Sequence, residues 1–533
     1  MWQNEDVIHV FQYEWFLVRN AACFPDRPAV VDKNGTLTWE QLNRQSDWLA
    51  QAMKAVGIQK GRRVALLWHS SLEWMLVWCA CQKIGAVTVP LNARLLPEEI
   101  ALDMHMADCD VLFCADRFLE TGRFLAGRIN LTVLVAEGGA HDGSWMSWSA
   151  FYNLGSSGPV SEDLKDDDES IILFTSGTTG RPKGVVRTQR MVREHALVLA
   201  LESGGCSKHE IMLTTSPFYH TGGLMCILKM AALAGTVVLV ERFDAPAVLD
   251  MIERYEVTQV LMVPPVVYRR LTSCPKRADL TLPSVRDVLI SGGRCDLGYA
   301  RSIFELFPNA RLRFSWGSTE ACSITSIALD KTTLERRPEL VSTVGTVNAL
   351  VEVKLVDERG QDVKDGEVGE GLVRSPMVFQ GYLGNVKESG QDVLAGGWLR
   401  TGDLLKRDAE GYYYLVDRLK DVIKTGGENV YALEIERVLL EHPYIADCAV
   451  VGVYDEVYEE GIAAAIVLEP GRTLDPDDLI SFCRSHLPGY KKPRYWAVLD
   501  ALPVNSIGKV QKAELRRRGR ALFSPLPGIN RKG

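Results

Sequence analysis

The stretch with the clearest chemical signature is IILFTSGTTGRPKGVV, residues 171–186. An apolar run is followed there by serine, threonine and glycine residues and then by Lys183. Glycines let backbone N–H groups converge on an anion, hydroxyl groups add donors and a lysine adds positive charge, so the stretch predicts a phosphate-binding loop. The GxxxxGK[ST] spacing of a P-loop is absent, which disfavours a kinase or a P-loop ATPase. A loop with a purely structural role is the alternative interpretation.

A second glycine-rich turn, SGGRCDLG at residues 291–298, follows the apolar run VRDVLI. The pattern predicts a strand that ends in a loop, where Gly292 and Gly293 allow another group to approach the backbone closely. Arg294 in the middle of this turn faces either solvent or a ligand.

Composition limits the class of protein. The chain has 533 residues, 47% hydrophobic and 24% charged, which is typical of a globular protein with at least two domains. A formal net charge of −8 disfavours duplex nucleic acid as a partner. The twelve cysteines are scattered without a CxxC pair or a zinc-site spacing, so we expect reduced thiols.

The apolar segments favour a cytoplasmic protein without a membrane span. At the N-terminus we expect no secretory signal, because no basic segment followed by an apolar one is found there. The most apolar stretch, LEWMLVWCACQKIGAVTVPL, carries Gln82 and Lys83 in its middle. This interruption predicts a core helix followed by a buried strand.

Strand-like and helical patterns alternate through the first four hundred residues, as in RRVALLW, SSLEWMLVWCACQKIG and AVTVPL. The same alternation follows later in TVVLVE, APAVLDMIERYE and VTQVLMVPP. Such βαβ units predict an α/β body with largely parallel sheets and flanking helices. From about residue 343 to 418 the pattern changes to short alternating strands, which predict an antiparallel β subdomain. Residues 419–533 predict a smaller α+β domain, and the boundary falls near Arg418 to Lys420.

The motifs, taken together, resemble those of the acyl-adenylate-forming superfamily, which includes acyl-CoA synthetases, firefly luciferase and the adenylation domains of peptide synthetases. The phosphate-binding stretch is similar to the signature loop of that superfamily. Further similar segments follow along nearly the whole chain in the family's order: QKIGAVTVPLNARL (82–95), TTSPFYHTGGL (214–224), FSWGSTE (314–320), GGWLRTGDL (396–404), DRLKDVIKTGGENVYALEIE (417–436) and LPVNSIGKVQKAEL (502–515).

The resemblance implies an AMP-forming carboxylic acid:CoA ligase that uses ATP, Mg²⁺ and coenzyme A and releases AMP and pyrophosphate. Both reacting groups are anionic, so such an enzyme depends on charge neutralisation and in-line positioning. The nucleotide-binding positions carried over from the family are Thr175, Ser176, Gly177, Thr178, Thr179, Gly180, Lys183, Ser291, Gly292, Gly293, Trp316, Gly317, Ser318, Thr319, Asp403 and Arg418.

Individual roles follow from the same resemblance. Glu320 and Thr175 would bind Mg²⁺, since this ion prefers hard oxygen donors. Thr319 would contact the α-phosphate, and Trp316 would stack on adenine or be a core aromatic residue. Asp403, which outside the family would be interpreted as a turn or cap residue, would accept hydrogen bonds from the ribose.

The predicted small domain carries residues for both half-reactions. Lys509 would bridge the substrate carboxylate and the α-phosphate, although an exposed lysine after a turn is ordinarily only solvated. The domain would rotate about Lys420 and present Lys424, Gly426 and Gly427 to the pantetheine arm. A β-turn joining a strand to the ALEIE helix is the plainer interpretation of the two glycines, and both can hold.

The resemblance also implies a pocket for the acid. His220 would gate or line the acyl pocket together with Thr221, Gly222, Arg294 and Ser323. If Arg294 points into the pocket, a second polar or anionic group on the acid is favoured, because an unpaired buried guanidinium is costly. The segments NARLL and DRLKDVIKTGGENV are similar to those of medium- and long-chain fatty acid and carnitine-type CoA ligases, so the resemblance favours a fatty or carnitine-like acid. Ligases of aryl acids share these motifs.

Several alternatives stay open: an aryl acid, a carrier protein as acyl acceptor, and a non-catalytic ATP-binding protein. A luciferase-type enzyme is disfavoured. A homodimer is compatible with the sequence.

Overall fold

The computed structural model divides into two compact units. The N-terminal unit comprises residues 1–353 and 373–399, and the C-terminal unit comprises residues 354–372 and 400–533. The structure describes residues 11–138, 145–160, 162–176, 182–203, 209–262, 266–275, 280–291, 295–384, 392–505 and 508–526.

Helices of the N-terminal unit follow from capping signals and apolar faces in the sequence. Thr38 and Gln41 form a reciprocal capping box at the start of Trp39–Ala55. The described α-helices of this unit are Glu14–Cys23, Trp39–Ala55, Leu72–Ile84, Pro97–Met106, Leu119–Ala126, Trp148–Tyr152, Gln189–Glu202, Thr221–Leu233, Ala245–Arg254, Val266–Thr272, Leu297–Leu306 and Lys331–Arg336, with 3₁₀ turns at Asp116–Phe118 and Pro338–Ser342.

The first sheet of the N-terminal unit has seven described strands and is parallel except at one edge. Its last two strands form an antiparallel hairpin, which is the predicted phosphate-binding segment. The strand order is Met146–Ser147, Val133–Ala136, Val111–Cys114, Arg63–Leu67, Val87–Pro90, Glu169–Ser176 and Pro182–Thr188.

The second sheet of this unit has nine described strands, of which the central ones are parallel. Antiparallel pairs stand at both edges. The strand order is Thr346–Val347, Cys322–Asp330, Arg311–Ser318, Asp287–Ile290, Gln259–Leu261, Ile211–Thr214, Thr236–Leu239, Pro28–Asp32 and Gly35–Thr38.

The most apolar stretch of the sequence forms a core helix, Leu72–Ile84, and the buried strand Val87–Pro90, as predicted. Ser71 caps the helix, and Gly85 ends it in the left-handed conformation at φ 67°. Lys83 is buried and lies 2.6 Å from Asp47, so the charge inside this helix is compensated. No helix among the described residues is long and apolar enough to cross a membrane.

A third sheet contains the predicted antiparallel strands, and the division between the units passes through it. Its strands are Glu352–Val356, Val368–Arg374, Trp398–Arg407 and Val393–Leu394 in that order, with Tyr413–Arg418 paired to Trp398–Arg407. Residues 354–372 and 400–418 thus belong to the C-terminal unit, whereas the sequence predicts a domain boundary near Arg418 to Lys420. That boundary and the hinge at Lys420 stay predictions.

The fourth sheet has six described strands and lies in the C-terminal unit with its own apolar core. The strands are Glu428–Val430, Ile423–Thr425, Glu459–Leu468, Tyr495–Val498 and Ser524–Pro525, with Ile445–Asp455 paired to Glu459–Leu468. The helices are Ala432–Leu439, Pro476–His486 and Lys512–Arg518, with 3₁₀ turns at Leu419–Asp421, Gly489–Lys491 and Gly519–Ala521. The predicted fold class is confirmed: parallel-rich α/β sheets, an antiparallel sheet and a C-terminal α+β unit.

Candidate functional site

The predicted phosphate-binding segment is a hairpin whose arms are held in register by Thr175 opposite Lys183. Thr175 and Lys183 are both half-buried, so each leaves part of its side chain accessible. Ser176 is the last residue of the first arm. Gly177, Thr178, Thr179 and Gly180 lie outside the described residues.

A tyrosine connects this hairpin with the WGSTE turn. Lys183 Nζ lies 4.5 Å from the centre of the Tyr382 ring, and the Tyr382 hydroxyl donates to Glu320 Oε1 at 3.0 Å. The backbone supports the arrangement, since Phe379 N donates to the Glu320 carbonyl oxygen at 2.8 Å. One cation over the ring and one half-buried carboxylate at the hydroxyl group are thereby held by a single tyrosine.

The WGSTE turn joins the antiparallel strands Arg311–Ser318 and Cys322–Asp330. Trp316 is buried on the first strand. Gly317 is required there, because a β-carbon would lie 2.1 Å from the Cys322 carbonyl oxygen. Ser318 Oγ accepts a hydrogen bond from Ala321 N at 3.1 Å, which fixes the turn.

Arg187, on the second arm of the hairpin, holds this turn from the protein interior. Its Nε and Nη2 atoms donate to the Thr319 carbonyl oxygen at 3.2 and 2.9 Å. Nη2 also donates to Thr221 Oγ1 at 3.4 Å, and the hydroxyl groups of Thr221 and Thr319 are 3.2 Å apart. Two predicted site residues that are far apart in the sequence are therefore brought together.

Three of the predicted acyl-pocket residues, His220, Thr221 and Gly222, lie at the start of the helix Thr221–Leu233. His220 precedes that helix, and burial, together with the nearby Arg94 charge, lowers the pKa of its imidazole to about 4. Ser323 Oγ is 3.2 Å from Nε2 of the buried His195. Gly222 is half-buried in the first helical turn, and Ser291 is half-buried at its strand end. Gly292, Gly293 and Arg294 lie outside the described residues.

In the C-terminal unit, Asp403 and Arg418 face each other on paired strands. Asp403 Oδ1 lies 2.8 Å from Arg418 Nε, and the aspartate side chain is only 4% exposed while the arginine is 38% exposed. Gly402 has φ 66°, and Thr401 Oγ1 accepts from Asp403 N at 3.1 Å, so the TGD turn has a defined conformation. The two predicted ribose-binding residues thus form one ion pair.

Lys509 lies in a turn that is closed by Asn505. The Asn505 N–H donates to the Lys509 carbonyl oxygen at 2.8 Å, and Lys509 N donates to Asn505 Oδ1 at 2.9 Å. The Lys509 side chain reaches the surface, yet the surrounding protein displaces enough water to lower the pKa of its ammonium group to about 8. Arg418 and Lys420 lower this pKa further, and Asp403 opposes them.

The hinge and pantetheine residues lie on short elements. Lys420 is exposed in the 3₁₀ turn Leu419–Asp421, and desolvation lowers its pKa. Gly426 and Gly427, at φ 60° and 84°, form a two-residue loop between the strands Ile423–Thr425 and Glu428–Val430. The loop therefore joins two strands, and the ALEIE helix begins only after the second, which corrects the predicted strand-to-helix turn. Lys424 is exposed on the first strand.

Sequence reasoning missed Arg187, Tyr382 and Asn505. Arg187 could have been noticed as a lone charge in the apolar strand KGVVRT. Tyr382 gave no comparable signal, because its partners Lys183 and Glu320 are distant in the sequence. Asn505 precedes a glycine-bearing turn, a position at which asparagine often bonds the backbone.

Comparison with known proteins defines the class of the chain. The profile of the AMP-binding enzyme family matches residues 17–383, and that of the AMP-binding enzyme C-terminal domain matches residues 434–509. The chain belongs to the AMP-binding enzyme family.

Curated relatives refine this class. Feruloyl-CoA synthase from Amycolatopsis sp is 34% identical over 507 residues, which cover 94% of this chain and 98% of that protein. Indoleacetate–CoA ligase from Aromatoleum aromaticum is 34% identical over 510 residues, with 95% and 97% covered. Crotonobetaine/carnitine–CoA ligase from Shigella dysenteriae is 32% identical over 492 residues, with 89% and 92% covered.

A solved structure agrees with these relatives. O-succinylbenzoate coenzyme A synthetase from Bacillus subtilis, in complex with ATP and magnesium ion, superposes with a TM-score of 0.80 at 27% identity, over 95% of this chain and 99% of that one. The chain is an AMP-forming acid–CoA ligase that uses ATP and Mg²⁺, with coenzyme A as cosubstrate. The predicted superfamily, enzyme class and cofactors are confirmed.

Proposed function

We propose that this ligase activates its acid at the turn that bears Thr319 and Glu320, using the residues predicted from the sequence. The observation that carries the proposal is the convergence of Lys183, Tyr382 and Glu320 with the Arg187-bound Thr319. A cation for phosphate, a carboxylate for a metal and a hydroxyl group for the α-phosphate are thereby held by hydrogen bonds and one cation–π contact. Such preorganisation is what the meeting of two anions requires.

The donor chemistry at this turn fits Mg²⁺. Glu320 presents a half-buried carboxylate, and the half-buried Thr175 supplies a hydroxyl oxygen on the hairpin. The described residues contain no group of three or more His, Cys, Asp and Glu side chains suited to hold a metal by themselves. This is consistent with Mg²⁺, which takes one or two protein ligands and completes its shell with water and phosphate oxygens. Bound there, Mg²⁺ would neutralise phosphate charge.

The remaining nucleotide roles are proposed for residues of both units. Thr175, Ser176, Thr178, Thr179 and Lys183, with Gly177 and Gly180 allowing close approach, would bind the β- and γ-phosphates. Trp316 would stack on adenine, beside the backbone of Ser291, Gly292, Gly293, Gly317 and Ser318. Asp403 would accept from the ribose hydroxyls with Arg418 beside it, a role supported by their 2.8 Å ion pair.

The two half-reactions are proposed to use two turns of the C-terminal unit. Lys509 would neutralise the acid carboxylate and the α-phosphate during adenylation. After rotation about Lys420, Lys424, Gly426 and Gly427 would serve the pantetheine arm, since glycine backbone lets a narrow group pass. His220 would line or gate the acyl pocket as a neutral imidazole, because its pKa of about 4 keeps it uncharged near pH 7.

For the acid we retain two classes. The fatty or carnitine-like acid predicted from the sequence is one, and the aryl acids in the names of the feruloyl and indoleacetate relatives are the other. Arg187, 3.4 Å from the Thr221 hydroxyl, disfavours a cationic trimethylammonium group near this helix start. The pocket would be completed by Gly222, Arg294 and Ser323. A carrier-protein acceptor is the second candidate. A cytoplasmic location and a homodimer stay predictions.

The testing experiment measures acid-dependent pyrophosphate release by the full chain with Mg·ATP, with and without coenzyme A. The panel contains ferulate, indoleacetate, 2-succinylbenzoate, carnitine, and short, medium and long fatty acids. We expect one acid class to release pyrophosphate with turnover only when coenzyme A is present. Lys509→Ala should lower the adenylation rate about 10³-fold, because one charge-neutralising group is lost from the reacting centre.

Two controls separate the alternatives. Lys509→Arg retains the positive charge and should recover part of the rate. Pyrophosphate release without any thioester product would favour a carrier-protein acceptor. Equal activity of Lys509→Ala and wild type would contradict the proposed role of Lys509.

A further inference from the structure

Arg187 is a fully buried arginine whose hydrogen-bond acceptors are uncharged. Its side chain is 1% exposed, and its described bonds go to a carbonyl oxygen and a hydroxyl group on Thr319 and Thr221. Arg313 provides the contrast within the same unit, since it is also buried but lies 3.0 Å from the Asp287 carboxylate. Among the described residues Arg187 has no acidic hydrogen-bond partner. A buried cation so placed is costly, so its presence indicates that an anion is bound close by at some stage.

The position of Arg187 indicates where that anion binds. Nε and Nη2 grip the Thr319 carbonyl oxygen, and Nη2 reaches Thr221 as well. The side chain thus ties the WGSTE turn to the start of the helix Thr221–Leu233. The two hydroxyl groups of these threonines, only 3.2 Å apart, form one polar edge with a positive charge directly behind it.

Several buried polar atoms of this part of the fold make no hydrogen bond to the described residues. In the part of the chain that the structure describes, Arg187 Nη1 is buried without a hydrogen-bond partner, as are His220 Nε2 and His195 Nδ1. His220 adjoins Thr221 in the chain. Desolvation by burial lowers the pKa of the His195 imidazole, and the Arg187 charge lowers it further. Unmet buried polar atoms of this kind require explanation, and a bound oxygen-rich group would satisfy them.

We propose that Arg187 is a positioning residue of the adenylation half-reaction: it fixes Thr319 and Thr221 and compensates the charge of the acid carboxylate and the α-phosphate that meet there. The inference rests on the proposed function, which assigns the α-phosphate to Thr319. In this step a carboxylate oxygen forms a bond to the α-phosphorus, and the bond to pyrophosphate breaks with its electron pair going to the leaving group. Arg187 exchanges no proton in this step.

The test compares Arg187→Leu and Arg187→Lys with wild type in the full chain. Three quantities are measured: acid-dependent exchange of labelled pyrophosphate into ATP with the best acid of the panel, thioester formation from the prepared acyl adenylate, and melting temperature with and without Mg·ATP. For Arg187→Leu we expect exchange to fall about 10²-fold while thioester formation stays within about threefold. Arg187→Lys should recover about tenfold, because it restores the charge without the planar fork.

Stability separates this role from a structural one. Removing an uncompensated buried cation should leave the ligand-free melting temperature unchanged or raise it, while the stabilisation by Mg·ATP shrinks. The matched control Arg313→Met removes a buried arginine that has a carboxylate partner. It should lower the melting temperature yet preserve exchange per folded molecule.

Two results would overturn the proposal. One is an unchanged exchange rate in Arg187→Leu, and the other is a lower melting temperature with equal losses in both half-reactions. A wild type that releases no pyrophosphate with any acid refutes the proposed function instead. In that case the role of Arg187 is still tested by the rise in melting temperature that Mg·ATP causes. If this rise is as large in Arg187→Leu as in wild type, the charge-compensating role of Arg187 is overturned.

Discussion

The two units build their site residues in different ways. In the N-terminal unit, Arg187 contacts Thr319, 132 positions away, and Glu320 contacts Tyr382, 62 positions away. In the C-terminal unit, Lys509 is held by Asn505, four positions away, and Gly426 and Gly427 form the two-residue loop of a hairpin. One site is a framework across strands, whereas the other consists of turns that close on themselves.

This difference bears on which functions can be separated by substitution. A framework shared by several side chains transmits a change at one residue to the others, so its members are coupled. A self-closed turn can change without disturbing a second turn. We therefore expect substitutions in the N-terminal unit to affect nucleotide chemistry as a whole, and substitutions in the turns of the C-terminal unit to affect one half-reaction each.

A large effect, although smaller than that of Lys509→Ala, is expected for Glu320→Gln. Loss of the carboxylate removes the charged one of the two proposed protein ligands of Mg²⁺, so pyrophosphate release should fall about 10²-fold and require more Mg²⁺. The measurement is the initial rate against Mg²⁺ concentration. Glu120→Gln, at an exposed position of the same unit, is the control and should leave the curve unchanged. An unaltered Mg²⁺ dependence in Glu320→Gln would remove this residue from the metal site.

A smaller and more selective effect is expected for Gly427→Ala. The position has φ 84° with open space around it, so alanine strains the turn by about 1–2 kcal/mol without a clash. Thioester formation from acyl adenylate should fall about tenfold, while adenylation is retained.

Gly471→Ala is the matched control for that variant. Gly471 has φ 75°, also with open space, and lies in a different turn of the C-terminal unit. Equivalent strain there should leave both half-reactions intact. Equal losses in adenylation and thioester formation for Gly427→Ala would break the proposed separation of the two turns.

The pH dependence sharpens the role of the Lys509 turn. With its pKa lowered to about 8, the ammonium group is charged at pH 7 and loses its proton as pH rises through that value. The kcat/KM for pyrophosphate release should therefore decline above pH 8, by about tenfold per pH unit. In Lys509→Arg this decline above pH 8 should disappear, because arginine keeps its charge. If the decline persists in the arginine variant, another group is responsible for the titration.

The smallest effect is expected for Tyr382→Phe. The ring beside Lys183 is kept, and only the 3.0 Å hydrogen bond to Glu320 is lost. A net hydrogen bond of about 1 kcal/mol corresponds to roughly a fivefold change in apparent Mg²⁺ affinity. The Mg²⁺ titration used for Glu320→Gln measures it. A loss as large as that of Glu320→Gln would mean that the tyrosine itself contacts the reacting groups.

Local patterns in the sequence were sufficient to predict individual helices and strands, but not which strands lie next to one another in a sheet. Periodicity correctly predicted the strand Thr236–Leu239, the helix Ala245–Arg254 and the strand Gln259–Leu261. The two strands nevertheless pair on opposite sides of Ile211–Thr214, so the crossover skips one strand. Strand order depends on contacts distant in sequence, which periodicity does not contain.

The same limit applies to the site. The strand that runs into Thr175 and the TGD turn could be predicted, because each is a continuous motif. The pairing of Thr175 opposite Lys183 was not predicted. Arg187 could not be assigned, since a single arginine in an apolar strand does not reveal which carbonyl oxygen it will meet. Motifs identify the groups that do chemistry, and packing across sheets decides which residues orient them.

The course of the chain through the two units limits how they can be expressed as separate fragments. The backbone passes from one unit to the other after residues 353, 372 and 399, so neither unit is a continuous stretch of gene. A fragment that starts at residue 400 lacks the strand Val368–Arg374 beside Trp398–Arg407, and its sheet would have a bare edge open to aggregation. During synthesis on the ribosome, likewise, the N-terminal unit is complete only after residue 399 has been added. At that point residues 354–372 have been made, but residues 400–533 of the same unit have not.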